Sequence, residues 1–186
     1  MKKIVQKNDK VLRKNAKDIS ASEIKTPKIK KILKEMSLAL KSQSDGVAIA
    51  APQIGYLLRI FIVAGKIFAK DFAKNIEVPT PERVRIPTAS VGKIPKDLVF
   101  INPKIVKLSR EKEWVPEGCL SVRWLYGKTF RSKKATITAY DENGKKFQRG
   151  ASGLLAQIFQ HETDHLNGVL FIDHAKDIRE ELPQRK

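Results

Sequence analysis

Apolar side chains recur every three or four residues after Thr26, which is the spacing of one face of a helix. Thr26 is a suitable N-cap, and Pro27 stands at the first helical position, where its missing N–H breaks no hydrogen bond. The pattern predicts one N-terminal amphipathic helix, ended by the stretch Ser44-Asp45-Gly46 and buried along its apolar face. That face consists of Ile29, Ile32, Leu33, Met36 and Leu40.

A second helix is predicted over residues 152–166, which contain no proline. Ser152 is a suitable N-cap, and Gly168 stands where a residue in the left-handed conformation ends many helices. This helix carries two of the three histidines of the chain.

Four other stretches, 59–64, 98–108, 135–140 and 145–149, have the apolar or alternating character of strands. The pair Asn102-Pro103 interrupts the second of them, which predicts either an edge strand or a bulge. Residues 141–144, Asp-Glu-Asn-Gly, predict the turn of a hairpin between the last two strands.

Two stretches lack a clear period. Residues 65–97 hold four prolines and predict a long loop or a hairpin excursion. Residues 175–186 are charged and predict a fraying tail that at most begins a short helix. The expected fold is α+β, in which mixed or antiparallel strands surround a central helix with the HExDH pattern (residues 161–165) and one N-terminal helix packs beside them. At 186 residues, we expect a single domain over residues 1–186.

Composition limits the class of protein. The chain has 41% hydrophobic and 31% charged residues, as expected for a globular protein, and no apolar run reaches the ~20 residues of a membrane span. The basic N-terminus lacks the apolar segment of a secretory signal. The single cysteine excludes an internal disulfide and suggests a reducing compartment. We therefore expect a cytoplasmic protein without a membrane partner.

The net charge of +17 is large for this length. It provides either a field that maintains solubility or an attraction to a polyanion such as ribosomal RNA. The lysines are spread along the chain, and no motif for reading nucleic-acid sequence accompanies them. Electrostatic association with the ribosome therefore stays open, and sequence-specific nucleic-acid binding is not expected.

The second predicted helix contains the pattern HExxH as His161, Glu162 and His165. Positions four apart lie on the same helix face with Cβ atoms roughly 5–6 Å apart, so both imidazoles can reach one metal ion. Glu162 stands beside the first histidine, where a carboxylate can handle the protons of an activated water. The alternative is a pair of histidines on an ordinary amphipathic helix.

A metal site needs a third protein ligand. Cys119 is the best candidate, because its thiolate would complete a three-ligand site that keeps one position open for water. Glu180 and Glu181 lie in the predicted loose tail, and His174 is off the helical register, so we expect it on the surface or in a loop. The alternative for Cys119 is an inert buried thiol.

Residues 46–53, Gly-Val-Ala-Ile-Ala-Ala-Pro-Gln, are apolar and small. Small side chains let another backbone approach closely, which suits a strand edge that receives an extended peptide. Gln53 is the polar group at the end of this stretch. The alternative is a buried strand and turn with no binding role.

These stretches together resemble the peptide deformylase family. Residues 46–53, 117–121 and 160–168 look like its three signature motifs, in the same order and at similar separations. The resemblance extends to Leu12-Arg13, Asn102-Pro103 and residues 153–156, and so covers most of the chain.

The departures from the family are few. Ala48 replaces the second glycine of the usual GxGxAAPQ motif, and Arg123-Trp124 stand where the family often has proline. Residues 65–97 are longer than we expect for the family. The tail is short for the C-terminal ribosome-docking helix of some bacterial members.

The resemblance implies hydrolytic removal of the formyl group from N-formylmethionine of nascent polypeptides. It implies Glu162 as general base and acid, with Gln53 and the Leu120 N–H as oxyanion donors. The implied metal ligands are Cys119, His161 and His165. The implied substrate-binding residues are Gly46, Val47, Ala48, Leu154 and Ile158.

The resemblance also favours iron(II) as the single divalent ion, with zinc, nickel and cobalt as alternatives that suit one thiolate and two imidazoles. It suggests that Glu117 and Arg131 pair behind Cys119, unless they are unrelated surface charges. Asp164 is expected to support the site or to lie on the helix surface rather than bind metal.

Two rival functions differ in what they predict. An HExxH endopeptidase would cleave internal peptide bonds and would not depend on Cys119. A basic RNA-associated protein with a structural metal would bind RNA in a salt-sensitive way and would release no formate.

Overall fold

This computed structural model describes residues 2–69 and 95–182. The described residues contain two antiparallel sheets and two α-helices. Most of the predicted excursion at 65–97 falls on residues 70–94, outside the described residues. The helices are α1 (Pro27–Lys41) and α2 (Gly153–Leu166). The strands are β1 (Ala48–Ala50), β2 (Ile60–Val63), β3 (Leu98–Leu108), β4 (Lys112–Gly118), β5 (Leu125–Ser132), β6 (Lys134–Tyr140), β7 (Lys146–Ser152) and β8 (Lys176–Glu180).

The first predicted helix is confirmed as α1. The Thr26 hydroxyl accepts a hydrogen bond from the Ile29 N–H, and Pro27 stands in the first turn. The helix ends earlier than predicted, at Lys41, where the Ser42 N–H bonds back to carbonyls of the last turn. Its predicted apolar face is buried, which fixes α1 against the sheet. Neither described helix is long and apolar enough to cross a membrane.

The larger sheet has the strand order β1-β2-β3-β6-β7, and all of its pairings are antiparallel. The side chains of β2 point alternately into two hydrophobic cores, one on each face of the sheet. Phe61 and Val63 pack on the side of α2, and Ile60 and Ile62 pack on the side of α1. The sheet is therefore covered by one helix on each face, and the expected α+β class is confirmed.

The predicted irregularity at Asn102 is a bulge. The register between β3 and β6 shifts between Ile101 and Lys104, and Asn102 has a φ of 50°. Its side chain bonds both the N–H and the carbonyl of Ile19. The bulge lies in a central strand rather than at an edge, and it ties the N-terminal segment to the sheet.

Four phenylalanines fix α2 on the sheet. Phe61 and Phe100 stack with ring centroids 4.5 Å apart, and Phe159 of α2 meets Phe100 edge-on at 5.3 Å. Phe147 packs on the same ring at 5.4 Å. Because Phe159 is two residues before His161, this cluster also positions the histidine-bearing face of α2.

The smaller sheet has the order β4-β5-β8, and β8 contradicts the prediction of a frayed tail. Leu125 pairs with Glu180 and Tyr126 pairs with Arg179 across the two strands. All five residues of β8 are exposed, so the strand is held by backbone hydrogen bonds and has no apolar alternation in its sequence. The prediction failed because it relied on that alternation.

Candidate metal centre

Helix α2 is held at its C-terminal end by contacts with the N-terminal part of the chain. Gly168 has the predicted left-handed φ, 73°, and a Cβ there would lie 2.8 Å from the backbone carbon of Arg13. The Arg59 guanidinium bonds the Leu166 carbonyl at 3.3 Å. Ser152 takes the N-cap position as predicted, although its hydroxyl makes no cap hydrogen bond. These contacts fix the orientation of the α2 face that carries His161 and His165.

The structure brings the three predicted metal ligands together. The ligand atoms of Cys119, His161 and His165 all lie within 4.8 Å of one another, and Cys119 Sγ is 3.2 Å from His165 Nε2. Cys119 directly follows β4, so the smaller sheet supplies the sulfur and α2 supplies both imidazoles. Among the described residues, His174 does not join this cluster and lies in the predicted loop.

Glu117 lies behind the first histidine and orients it. Its Oε1 is 2.5 Å from His161 Nδ1 and 2.7 Å from Arg131 Nη2, so the predicted pairing of Glu117 with Arg131 is present. If Nδ1 donates to this carboxylate, Nε2 is the nitrogen that faces a metal ion. The Thr129 hydroxyl also donates to Glu117, and Arg131 Nη1 reaches Asp164 at 2.6 Å. We call Glu117, Thr129, Arg131 and Asp164 the brace.

Sequence reasoning missed Thr129. It lies two residues before Arg131 on β5, and both side chains are buried. A period of two along a predicted strand would have placed Thr129 beside Arg131. Asp164 was expected near the site or on the helix surface, and its contact with Arg131 makes it part of the brace.

Burial and hydrogen bonding set the charges at the site. Burial opposes charge on Glu117, but hydrogen bonds from His161 and Arg131 outweigh it and hold the pKa of Glu117 well below its usual value. Burial likewise opposes charge on His161, while its hydrogen bonds to Cys119 and Glu117 raise its pKa. Burial lowers the pKa of His165, which favours the neutral imidazole that a metal needs.

Glu162 is a buried carboxylate with a perturbed pKa. Burial raises the pKa of Glu162 to about 7, against the opposing effect of His161. Its Oε2 has no hydrogen-bond partner among the described residues, and the same is true of His165 Nδ1. A carboxyl group poised near neutrality is suited to general acid–base chemistry.

Gln53 places its side-chain amide beside the sulfur of Cys119. It lies on a 3₁₀ turn, Ala51–Ile54, that directly follows β1. Its Oε1 accepts the Ala50 N–H at 2.8 Å, and its Nε2 lies 3.6 Å from Cys119 Sγ. The side chain is 1% exposed, so the amide is held in one orientation beside the cluster.

The predicted substrate-binding residues lie next to α2. β1 is an edge strand that pairs only with β2 among the described strands. Four of the predicted substrate-binding residues belong to or pack against the core cluster between the sheet and α2. They are Val47, Ala48, Leu154 and Ile158. Gly46 directly precedes Val47, and Leu120 directly follows Cys119 and packs against the cluster on the α1 side of the sheet.

The residues present fit a divalent metal ion. One thiolate and two imidazoles are three protein ligands of the kind found in catalytic sites with an open position. The partnerless Oε2 of Glu162, the residue next to His161, is buried, and buried polar atoms are normally satisfied. The site therefore has both the donors for a metal and an unsatisfied polar group that could bind its water.

Replacing Arg131 by methionine should weaken metal binding about 10- to 100-fold, the range typical of groups that orient metal ligands. Arg131 is 7% exposed and makes two contacts with Glu117, so its loss leaves a buried carboxylate poorly compensated. Metal titration and thermal unfolding would measure the effect. The double variant Glu117→Gln/Arg131→Met should unfold at a higher temperature than Arg131→Met, and the reverse order would contradict the brace.

Comparison with known proteins identifies the family. Residues 1–181 match the family model described as polypeptide deformylase. Peptide deformylase 2 of Clostridium acetobutylicum is 36% identical over 173 residues, which cover 93% of this chain and 94% of that protein. The peptide deformylase of Borreliella burgdorferi is 39% identical over 150 residues, which cover 81% of this chain and 74% of that protein.

Solved structures agree with the sequence matches. The peptide deformylase of Thermotoga maritima superposes with a TM-score of 0.73 at 30% identity, covering 95% of this chain and 98% of that one. The structure from Synechococcus elongatus, in complex with actinonin, gives 0.71 at 32% identity, covering 94% and 78%. The chain therefore belongs to the peptide deformylase family, the metal-dependent hydrolases that remove the N-formyl group from nascent polypeptides and release formate.

Proposed function

We propose that this chain deformylates its substrate with Glu162, Gln53 and the Leu120 N–H, around a divalent ion held by Cys119, His161 and His165. The observation that carries this proposal is the convergence of the three ligand atoms within 4.8 Å. Bound there, a divalent ion acts as a Lewis acid that polarises the formyl carbonyl and lowers the pKa of water.

Glu162 moves the proton. It takes a proton from the attacking water and passes it to the amine nitrogen that leaves, so it acts first as base and then as acid. The buried position and the pKa of about 7 support this role, because the carboxyl group can hold either protonation state near neutrality. The lack of a partner for Oε2 among the described residues leaves that atom available to water.

Gln53 and Leu120 stabilise the charge that develops on the formyl oxygen. The Gln53 Nε2 donates from one side, held by the bond between its Oε1 and the Ala50 N–H. The Leu120 N–H donates from the other side, in a segment tied down by the Gln6 Nε2 bond to the Leu120 carbonyl at 3.1 Å. The position of the Gln53 amide is fixed in this way, and its Nε2, which donates to Ser121 Oγ at 3.1 Å, exchanges that bond for the formyl oxygen.

Replacing Gln53 by alanine should lower kcat by roughly 10²–10³-fold, or ~2.7–4 kcal/mol, the usual loss for one oxyanion donor. Metal content should not change, because Gln53 is not a proposed ligand. Steady-state formate release and metal analysis would check both statements. Gln148→Ala, which alters an exposed glutamine on β7, serves as the control. An unchanged kcat in Gln53→Ala would contradict the assigned role.

The peptide binds along the edge of β1. Backbone groups of Gly46, Val47 and Ala48 pair with the extended substrate, as exposed edge strands do with added peptides. Leu154 and Ile158 enclose the methionine side chain. The edge position of β1 among the described strands and the packing of Leu154 and Ile158 against one cluster support this arrangement.

We assign iron(II) to the site in the cell, with zinc, nickel or cobalt as substitutes. The donor set of one thiolate and two imidazoles accepts all four metals, and the family resemblance favours iron. We further propose that residues 1–186 form one catalytic domain that acts in the cytoplasm. The charge of +17 supports an electrostatic association with the ribosome.

The test is an anaerobic assay of formate release from a formyl-methionyl peptide, together with metal analysis. Formate should appear with the iron-loaded protein and fall to near background after the metal is removed by a chelator. Reloading with each of the four metals ranks their activities. Cleavage of internal peptide bonds without formate would support the endopeptidase alternative instead.

A further inference from the structure

An ion pair joins two segments that the proposed function assigns to substrate binding. One is the segment leading into β1, proposed to bind the peptide backbone, and the other is the segment after Cys119, which carries the proposed oxyanion donor Leu120. We call these two segments the walls of the substrate cleft.

Asp45 directly precedes Gly46, which begins the β1 wall, and Arg123 lies three residues after Leu120 on the opposite wall. Arg123 Nη1 lies 2.5 Å from Asp45 Oδ2, and Nη2 lies 2.9 Å from Oδ1. Nη2 also donates to Gln43 Oε1 at 3.2 Å. We call Gln43, Asp45 and Arg123 the clasp.

The arginine of the clasp is held by its own surroundings. The side chain of Arg123 is only 17% exposed, and its guanidinium lies 4.6 Å from the centre of the Trp124 ring. The Arg123 N–H donates to Gln6 Oε1, while Gln6 Nε2 donates to the Leu120 carbonyl. One network therefore connects the clasp with the residue proposed to donate to the oxyanion.

In the proposed binding mode, the clasp lies beside the substrate residues that follow formyl-methionine. Gln53 is beside Cys119, and the chain runs back from Gln53 along β1 to Gly46 and then to Asp45. A peptide with its formyl group near Gln53 and its backbone along residues 46–48 passes Asp45 with its later residues. The segment 43–47 belongs to neither α1 nor β1, so contacts such as the clasp determine its position.

An ordinary surface ion pair contributes little, because water screens both charges. This pair differs in two ways. The guanidinium contacts both carboxylate oxygens, a geometry that fixes orientation as well as distance. The arginine is mostly buried, and its hydrogen bond lowers the pKa of Asp45, so the carboxylate stays charged as the pH falls.

We propose that the clasp sets the spacing of the two cleft walls and thereby determines affinity for substrate residues that follow formyl-methionine. Asp45 and Arg123 are positioning residues, since they act on the walls rather than on the reacting atoms. This inference rests on the cleft assigned under the proposed function. The proposal predicts that Asp45 and Arg123 affect the KM of longer peptides and leave the chemical step at the metal unchanged.

The test compares two neutral substrates, formyl-Met amide and formyl-Met-Ala-Ser amide, so that the charge of the protein does not bias binding. Asp45→Asn should raise KM for the longer peptide about fivefold to tenfold, within the range of couplings between contacting residues. The kcat should change less than twofold. KM for formyl-Met amide should change less than twofold as well, because that substrate does not reach the clasp.

Asp18→Asn is a matched control. Asp18 pairs with Arg59 at 3.6 Å, with side-chain exposures of 56% and 17%, and the clasp pair has 54% and 17%. This second pair does not link residues 43–48 to residues 119–123, and Arg59 keeps its hydrogen bonds to Leu166 and Asn167 when Asp18 is replaced. Asp18→Asn should therefore leave both substrates unaffected. Thermal unfolding of each variant verifies that the comparison is between folded proteins.

A double variant tests whether the two charges act as one unit. Asp45→Asn/Arg123→Met should raise KM for the longer peptide no more than the larger of the two single changes. The clasp is rejected if Asp45→Asn behaves like Asp18→Asn, if both substrates lose affinity equally, or if the single effects add. A wild-type enzyme that releases no formate would instead reject the proposed function.

Discussion

Replacing Glu162 by alanine should lower kcat for formate release by roughly 10²–10⁴-fold, the usual contribution of a positioned general acid–base group. Glu162 is 3% exposed, lies next to a proposed ligand and has a pKa of about 7. No other described carboxylate combines this position with a pKa raised to neutrality. The measurement is steady-state kinetics on metal-loaded protein under anaerobic conditions.

Glu162→Gln is the matched variant, because the amide keeps the size of the side chain but cannot accept the proton. It should lose nearly as much activity as the alanine variant, and both should keep their metal. If Glu162→Gln retained more than about a tenth of wild-type kcat, proton transfer by this residue would be wrong, since even the smallest typical contribution is about 100-fold. If either variant lost its metal, Glu162 would instead act on the ion.

Parts of the fold that depend on local spacing could be predicted from the sequence. The two histidines are four residues apart, and any regular helix places such a pair on one face. The N-cap of α1 and the left-handed Gly168 follow from the chemistry of one or two residues. These predictions were confirmed because nothing distant in the chain could change them.

Pairings between distant residues were harder to predict. Cys119 and His165 are 46 positions apart, and no local spacing relates them. The cysteine entered the expected site because its thiolate could complete the ligand set and because the three motifs together resemble the family. The clasp joins positions 78 apart, and no sequence pattern relates Asp45 to Arg123. Such contacts are determined by how the two sheets meet, which no local period encodes.

Strand β8 was missed for a different reason. Strands are recognised from sequence by their alternation between core and solvent, and β8 has no residue in the core. Its position at the edge of the smaller sheet depends on backbone hydrogen bonds with β5. A fully exposed edge strand therefore has the same sequence character as a charged tail.

The structure also bears on the rival functions. A protease of the HExxH type would take its third ligand from a downstream glutamate or histidine. In the described chain, Glu180 and Glu181 are exposed on or next to β8, and the ligand cluster contains Cys119 instead. A purely structural metal would not require a buried, partnerless carboxylate beside the ligands, and Glu162 is such a group.

Replacing Cys119 by alanine should weaken metal binding by more than about 100-fold, beyond the 10- to 100-fold typical of groups that only orient ligands. Formate release should fall with it. The reason is that Cys119 is the only cysteine in the chain, so no second thiolate can complete the site. Metal titration under anaerobic conditions and formate release at saturating metal would separate lost affinity from lost catalysis.

His174→Ala is the control, because it removes the third histidine of the chain. His174 contacts the brace through Asp164 (Nε2 to Oδ2, 3.5 Å) and does not belong to the ligand cluster. This variant should bind metal and release formate like the wild type. Cys119→Ser should fall between wild type and Cys119→Ala in affinity, since a hydroxyl is a poorer ligand than a thiolate for the metals that suit this site. If Cys119→Ala kept both its metal and its formate release, the sulfur would not be a ligand. The two histidines would then need a third partner outside the cluster, and the proposed geometry of the oxyanion donors around Cys119 would be wrong as well.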